Sequence, residues 1–160
     1  MIEVNKLDAL RNSLLAAEFD EAEIEALANQ MGVQTLHDGE TLVVEGDERR
    51  TLFTVAAGGL SFFRVIGGAE EIIYHMHAGE CVGARSFIDG VAYVFGLRAI
   101  GETSLLTLEP EAFEALVDTH PWIIYRVMRA LFRVAHVNLT RTYLEGAELR
   151  NYLLKSGGRY

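Results

Sequence analysis

The sequence predicts a mainly β fold: a jelly roll, or double-stranded β-helix, with helices before it and a long helix after it. The middle of the chain, residues 33–110, consists of brief apolar stretches separated by turns that contain glycine. The segments on either side instead carry apolar residues at helical spacing. A length of 160 residues is enough for one domain with a substantial core, so these parts are expected to form a single unit.

Two short helices are predicted in residues 1–32. Leu7 and Leu10 belong to a first apolar stripe at intervals of three and four residues, the spacing of one helix face. Ile24 and Leu27 belong to a second stripe with the same spacing. The N-terminal part of the chain is therefore expected to pack as helices against the roll.

Six strands are predicted in residues 33–110. Strands this short, separated by turn residues and not preceded by long helices, favour an antiparallel roll over a parallel sheet. The predicted strands span residues 41–47, 51–59, 60–68, 71–80, 93–102 and 104–110.

Helices are predicted again in residues 111–155. A short apolar stripe precedes Pro121, and a proline is well tolerated in the first turn of the next helix. From Trp122 to Leu139 apolar residues occur on nearly every side, so this helix needs cover on two faces. The roll can cover one face, and a second copy of the chain is expected to cover the other. This predicts a homodimer through residues 122–145.

Two further features are expected near the end of the chain. Gly146 predicts that the long helix weakens or ends at that point, because glycine is a poor helix former and a common helix terminator. Residues 156–160, SGGRY, predict a flexible tail.

Charge and cysteine content limit the classes of partner. A formal net charge of -9 opposes binding to phosphate backbones, so direct DNA binding is not expected. The first residues form neither a secretory signal nor a membrane span, so no membrane partner is expected. The single cysteine, Cys81, excludes an internal disulfide and is expected to be a small buried residue of a cytoplasmic protein.

Two stretches carry a family resemblance. The first, LHDGETLVVEGDERRTLFTVAAGGLSFF, has Gly39-Glu40 before a strand, Gly46-Asp47 at a turn and Gly58 at the next turn. The second is HAGECVGARSFIDGVAYVFGLRA. With the order of elements over about residues 7–150, the chain resembles the cyclic nucleotide-binding domain of bacterial catabolite-activator and nitrogen-fixation-type regulators and of cyclic-nucleotide-dependent kinases and channels. The resemblance makes residues 79–99 the phosphate-binding cassette.

The resemblance implies a site for a cyclic nucleotide at this cassette. In the family a short helix meets the cyclic phosphate with its backbone N–H groups, an arginine pairs with the phosphate, and a glutamate accepts from the ribose hydroxyl. By this resemblance Gly83 keeps the cassette glycine, Ser86 its small residue and Phe87 an apolar anchor. Ala84 stands where the family has its glutamate, and Tyr93 stands where it has its arginine.

These replacements predict a degenerate ligand site and make ordinary cyclic AMP sensing doubtful. Arg85 or Arg98 could supply the missing cation, although Arg98 lies five residues after Tyr93 and so on the opposite strand face. By the same resemblance Asn138 falls at about the position on the long helix that contacts the purine base, but a role in setting the dimer register is favoured for a lone asparagine there. The candidate site comprises Gly83, Ala84, Arg85, Ser86, Phe87, Tyr93, Val94 and Asn138.

The expected function is that of a non-enzymatic regulatory or sensor module without a cofactor. It would bind another protein, or a ligand less polar than cyclic AMP in a cavity lined by Tyr93, Phe95, Phe87 and Ala84, with residues 122–155 as its output. No helix-turn-helix follows the long helix, which favours a stand-alone effector module. One alternative retains cyclic nucleotide binding through the backbone of the cassette alone.

Two metal alternatives are weaker. His75 and His77 share one strand face and precede Glu80, a near match to the metal motif of cupins, whose fold is also a jelly roll. The spacing is too short for that motif, so exposed strand histidines are favoured. A haem ligand at His136 is likewise less expected than an interface or surface histidine.

Overall fold

Six antiparallel strands form a roll, with helices before and after it in the chain, in the computed structural model, which describes residues 3–156. This arrangement confirms the predicted jelly roll with flanking helices and a long C-terminal helix. The helices are α1 (Lys6–Arg11), α2 (Glu21–Gln30), α3 (Ala84–Asp89), α4 (Pro110–Glu114) and α5 (Pro121–Ser156). The strands are β1 (Gly32–Leu36), β2 (Thr41–Val43), β3 (Leu52–Ile66), β4 (Ala69–His77), β5 (Cys81–Val82) and β6 (Gly96–Leu108).

The long strands β3 and β6 pair along most of their length and organise the sheet. The strand order is β1-β6-β3-β4, with β2 paired to β6 and β5 paired to β3. The sequence predicts two strands where the structure has β3, two where it has β6, and none at β1. These three predictions are wrong. Gly58 does not turn the chain: it adopts φ +78° inside β3, at a register shift against β6. Glycine there bends the strand and leaves the pairing on either side intact.

The sheet separates two apolar clusters, because alternate side chains of a strand point to opposite faces. Leu52 joins a cluster with the helices, whereas its neighbour Phe53 joins a second cluster inside the roll. On β6, Leu106 and Leu105 divide in the same way. Cys81 is buried in the helical cluster, as predicted.

The N-terminal helices hold the first half of α5. A capping box starts α2, in which Asp20 accepts from the Glu23 N–H and the Glu23 carboxylate accepts from the Asp20 N–H. Glu23 also pairs with Arg126 of α5. Before α2, Glu18 lies 3.2 Å from Arg129 and 2.7 Å from Arg133. The hydrogen bond from Arg133 lowers the pKa of Glu18.

Helix α5 is 36 residues long, which corresponds to about 54 Å. It runs through Gly146 without interruption, so the predicted weakening or end at that residue is wrong. Ser156 is its last residue, and the rest of the predicted tail lies outside the described residues. Within residues 3–156, no helix combines the length and the apolar character that a membrane span requires.

Two glycine substitutions should shift stability in opposite directions. A Cβ at Gly58 would lie 2.5 Å from the Glu102 carbonyl oxygen, on a backbone that side chains rarely adopt. We expect Gly58→Ala to destabilise the fold by about 2 kcal/mol or more. Gly146 has open space around it, so Gly146→Ala should stabilise α5 by about 1 kcal/mol. Urea unfolding of both variants measures the two shifts, and equal effects would contradict this account of Gly58.

Candidate functional site

The cassette is a short loop and helix fixed at both ends by backbone geometry and side-chain hydrogen bonds. Helix α3 starts after Gly83, at φ +91°, and ends at Gly90, at φ +69°. The Ser86 hydroxyl donates to the Val91 carbonyl at 2.6 Å, which closes the loop that follows the helix. The Arg50 guanidinium donates to the Phe87 carbonyl at 3.1 Å. The cassette is therefore ordered by the chain itself.

Tyr93 is buried between the cassette and the roll. Its backbone is paired in both directions with the turn after β2: its N–H donates to the Asp47 carbonyl at 2.9 Å, and its carbonyl accepts from the Gly46 N–H at 2.7 Å. Its side chain is only 5% exposed. The hydroxyl donates to the Thr51 carbonyl at 3.5 Å and lies against Gly83, where any Cβ would overlap it.

The environment of Tyr93 keeps its phenol neutral. Burial raises the pKa of the hydroxyl, and the nearby negative charge of Asp47 raises it further. Tyr93 therefore brings a neutral ring to a position where the resemblance places a cation.

Four aromatic rings continue from the cassette across the interior of the roll. Tyr93 meets Phe95 edge to face, with ring centroids 6.5 Å apart, and Phe95 stacks on Phe62 at 4.5 Å. Phe62 in turn meets Tyr74 edge to face at 5.6 Å. These separations are typical of favourable aromatic pairs. We refer to Tyr93, Phe95, Phe62 and Tyr74 as the aromatic row.

The far end of the aromatic row reaches α5. The Tyr74 hydroxyl donates to the Glu80 carboxylate at 2.7 Å, and this hydrogen bond is the main cause that raises the pKa of Tyr74. Glu80 also accepts from the His77 N–H at 2.6 Å. The guanidinium of Arg141 lies 5.1 Å from the Tyr74 ring centroid, a cation–π contact. Contacts thus run from the cassette to α5.

The predicted cavity lined by Tyr93, Phe95, Phe87 and Ala84 is not assembled. Ala84 and Phe87 are three residues apart on α3 and share a face that packs into the helical cluster, where the Phe87 and Phe113 rings lie 5.3 Å apart. Tyr93 and Phe95 belong to the cluster inside the roll. The prediction is wrong because it assumed that the residues of α3 and the residues at 93 and 95 lie on the same side of the sheet.

The remaining candidate residues do not share the buried position of Tyr93. Arg98 pairs with Glu70 through two contacts of 2.5 and 3.0 Å and covers the Phe63 ring at 4.3 Å, which commits its charge elsewhere. Arg85 and Val94 are exposed. Asn138 is exposed on α5.

Sequence reasoning missed the contacts that join Phe62, Tyr74, Glu80 and Arg141. The alternation of Phe62 along an apolar strand could have indicated an inward ring. Nothing in the sequence relates Arg141 to Tyr74, because the contact depends on how far α5 extends along the roll.

The histidines of the metal alternatives are on the surface. His75 and His77 are exposed on β4, and the Glu80 carboxylate is engaged by Tyr74 and by the His77 backbone. No group of three or more metal-ligating side chains occurs in the described part of the chain. His136 is exposed on α5 and stacks on Phe132, with ring centroids 6.2 Å apart.

Comparison with known proteins bears on the same region. The sequence matches the family model described as the cyclic nucleotide-binding domain over residues 33–120, more than half of the chain. The chain belongs to the cyclic nucleotide-binding domain family. The predicted family is therefore confirmed, and its match includes the whole cassette.

Individual relatives agree with this assignment. The chain is 29% identical over 115 residues to the cyclic AMP receptor protein of Thermus thermophilus, an alignment that covers 71% of this chain and 53% of the relative. The chain thus spans about half the length of that relative. The N-terminal domain of a transcriptional regulator from Streptomyces coelicolor is 26% identical, with a TM-score of 0.74 over 84% of this chain and 95% of that domain. A cyclic nucleotide-binding domain from Methylobacillus flagellatus shares the fold at 21% identity, with a TM-score of 0.77 over 88% and 79%.

Removal of the Tyr93 ring should leave a cavity that a small phenol can refill. We expect Tyr93→Ala to destabilise the domain by about 3–5 kcal/mol. Phenol or 4-methylphenol should recover part of this loss, because the walls formed by Phe95 and Gly83 remain. Thermal unfolding with and without the phenol measures both effects. Val94→Ala, at an exposed neighbour, is the control and should respond to neither.

Proposed function

We propose that this domain is a non-enzymatic regulatory module with a degenerate cyclic nucleotide site, which acts as a dimer through α5. The observation that carries the proposal is the burial of Tyr93 against Gly83. The side chain at the position of the family's phosphate-binding arginine turns inward and occupies space beside the cassette glycine. The site is closed by its own chain.

The charges near the cassette support a loss of nucleotide affinity. A cyclic phosphate is an anion, and a charged hydrogen bond from a guanidinium contributes about 1.5–3 kcal/mol. Arg98 is engaged by Glu70, and Arg50 donates to the Phe87 carbonyl. With Ala84 in place of the glutamate, a second polar contact is absent as well. Together these losses amount to a hundredfold or more in affinity, at about 1.4 kcal/mol per tenfold.

Because the site is filled by its own side chains, a protein partner suits this domain better than a nucleotide does. The interior is apolar and aromatic, and its polar groups satisfy one another through Tyr74 and Glu80. The contact between Tyr74 and Arg141 gives any change inside the roll a direct route to α5.

Titration with cyclic AMP and cyclic GMP tests the degenerate site. We expect no binding by the wild-type domain, because Tyr93 brings a neutral ring in place of the family's guanidinium. The double variant Ala84→Glu/Tyr93→Arg should bind at least about tenfold more tightly than wild type, since the arginine restores a charged contact to the phosphate. Isothermal titration calorimetry of both proteins gives the comparison. Tight binding by the wild-type domain would instead support the second candidate, in which the cassette backbone alone holds the nucleotide.

One observation favours that second candidate. The cassette backbone is preserved: Gly83 is left-handed, and α3 begins directly after it. Replacement of Gly83 by a bulky residue would abolish binding of this kind, but it would also strain the fold, because a Cβ there overlaps the Tyr93 hydroxyl.

The dimer proposal rests on the exposed face of α5. Apolar residues recur along it with a seven-residue period, as in a two-stranded coiled coil. Position a of this repeat is taken by Tyr125, Phe132, Leu139, Gly146 and Leu153. Position d is taken by Met128, Ala135, Thr142 and Leu149. The buried residues Ile123 and Ala130 lie at position f, so the repeat faces away from the roll.

A charge in this repeat should separate the dimer. Leu139 is half exposed in the single chain, so Leu139→Glu is tolerated by the fold but buries a carboxylate in the dimer. We expect this variant to be monomeric in sedimentation equilibrium at concentrations where wild type is dimeric. Val137→Glu is the matched control, because Val137 is exposed on the opposite side of the same helix. Equal behaviour of the two variants would argue against the repeat as the interface.

A further inference from the structure

Arginines without a carboxylate partner collect around the cassette. The chain has 23 acidic residues against 14 lysines and arginines, so an arginine with no carboxylate beside it is the exception. In the described part of the chain, four arginines form no salt bridge with another described residue. Three of them belong to α3 or to the turn after β2, and the fourth is on α5; they are Arg49, Arg50, Arg85 and Arg150.

Arg50 and Arg85 lie at the two ends of α3. The Arg50 guanidinium donates to the Phe87 carbonyl at 3.1 Å, which places it at the C-terminal end of the helix. Arg85 is in the first turn, and Ile88 follows it at the spacing that puts two residues on one helix face. Both are exposed, so this face of α3 is turned to solvent. Because α3 is about 9 Å long, the Arg50 guanidinium and the Arg85 backbone lie within about 10 Å of each other.

The turn after β2 carries the third arginine and two exposed apolar residues lie beside it. This turn pairs with the backbone of Tyr93, so Val44 in the turn and Val94 after Tyr93 lie on neighbouring segments. The two valines are 55% and 56% exposed. Arg49 is near the end of the same turn, and its guanidinium donates to the Leu42 carbonyl at 3.4 Å. The turn therefore adds a cation and apolar side chains to the surface of the cassette.

The carboxylates of the same two segments do not neutralise these arginines. Glu45 pairs with Arg64, and the Asp47 carboxylate accepts from a backbone N–H of the turn at 2.8 Å. Glu48 and Asp89 are exposed and form no salt bridge with another described residue. Three arginines against these two exposed carboxylates leave an excess of positive charge on this surface, although the net charge of the chain is -9.

We propose that this surface docks an acidic, partly apolar segment of another protein. We call it the outer cassette face, and it comprises Arg49, Arg50, Arg85, Val44, Ile88 and Val94. A guanidinium binds a carboxylate through two parallel hydrogen bonds, and arginine is enriched at protein interfaces. The net charge of the chain opposes a nucleic acid at the same place. The inference rests on the proposed function, because it gives the chemistry of the protein partner that such a module binds.

The outer cassette face is ordered before any partner arrives. The hydrogen bond from Ser86 to Val91 closes the loop after α3, and the Arg50 guanidinium holds the end of the helix. Little conformational entropy is therefore lost on docking. A segment bound here contacts the turn that pairs with the backbone of Tyr93, which is the first ring of the aromatic row.

Selection from a library of random peptides displayed on phage tests the docking. We expect the wild-type domain to enrich peptides that combine Asp or Glu with aliphatic or aromatic residues. Fluorescence anisotropy of one such synthetic peptide, labelled with fluorescein, then gives its affinity. Arg49→Glu/Arg85→Glu should weaken binding at least about tenfold, since two attractive charges become repulsive, and it keeps the Arg50 hydrogen bond to α3. Arg150→Glu is the matched control, at an exposed arginine on α5, and should bind as wild type does.

A second measurement tests the apolar part of the contact. Ile88→Ser should raise the dissociation constant of the same peptide about fivefold, since it removes apolar area from the outer cassette face. Ile100→Ser is the control, at an isoleucine of β6 that is 41% exposed where Ile88 is 42% exposed, and should leave the constant unchanged.

The outcomes separate this proposal from the proposed function. A library that yields no binder, yields only neutral or basic peptides, or yields acidic peptides that bind Arg49→Glu/Arg85→Glu as tightly as wild type overturns the docking and leaves the proposed function standing. Tighter binding of a DNA duplex than of any selected peptide, lost in the same variant, assigns the face to nucleic acid and also overturns the docking. Binding of cyclic AMP by wild type that Arg85→Glu abolishes assigns this arginine to the phosphate and overturns both proposals.

Discussion

The pairing of β3 with β6 is the constraint on which the rest of this domain depends. These two strands carry the side chains of both apolar clusters, and every other strand pairs with one or the other of them. Because their residues alternate between the clusters, a change of register by one residue would exchange the helical layer with the interior of the roll. The glycines at the bulges allow β3 and β6 to bend while that register is kept. The position of the cassette, which follows β5 and precedes β6, is set by the same pairing.

The interior of the roll is organised around rings where the family relationship places polar ligand contacts. Tyr93 meets Gly83 at one end of the aromatic row, and Tyr74 meets Glu80 and Arg141 at the other. This arrangement joins the cassette to α5 without a bound molecule. Arg98 takes no part in it: its side chain pairs with Glu70 of β4, across the intervening strand β3.

Much of the fold could be predicted from the sequence because it rests on local patterns. Helical spacing at both ends, and short apolar stretches with glycine turns between them, were sufficient for the fold class and the family. Gly58 and Gly146 were misread for one reason: a glycine can end an element or simply be accommodated in it, and the neighbours in space decide which. The position of Tyr93 was predictable. That Ala84 and Phe87 lie on the other side of the sheet from Tyr93 was not. That division depends on which side of the sheet α3 covers, and long-range packing determines it.

The close contact of Tyr93 with Gly83 has a consequence for how this site could acquire nucleotide binding by stepwise mutation. An arginine at position 93 by itself would place a cation in the buried position that the Tyr93 ring now fills, at a cost in stability. A glutamate at position 84 by itself would turn a carboxylate toward the apolar helical cluster. Each single step toward a nucleotide site therefore costs stability before it can gain affinity. Single-residue scanning without the ligand would class both positions as merely structural.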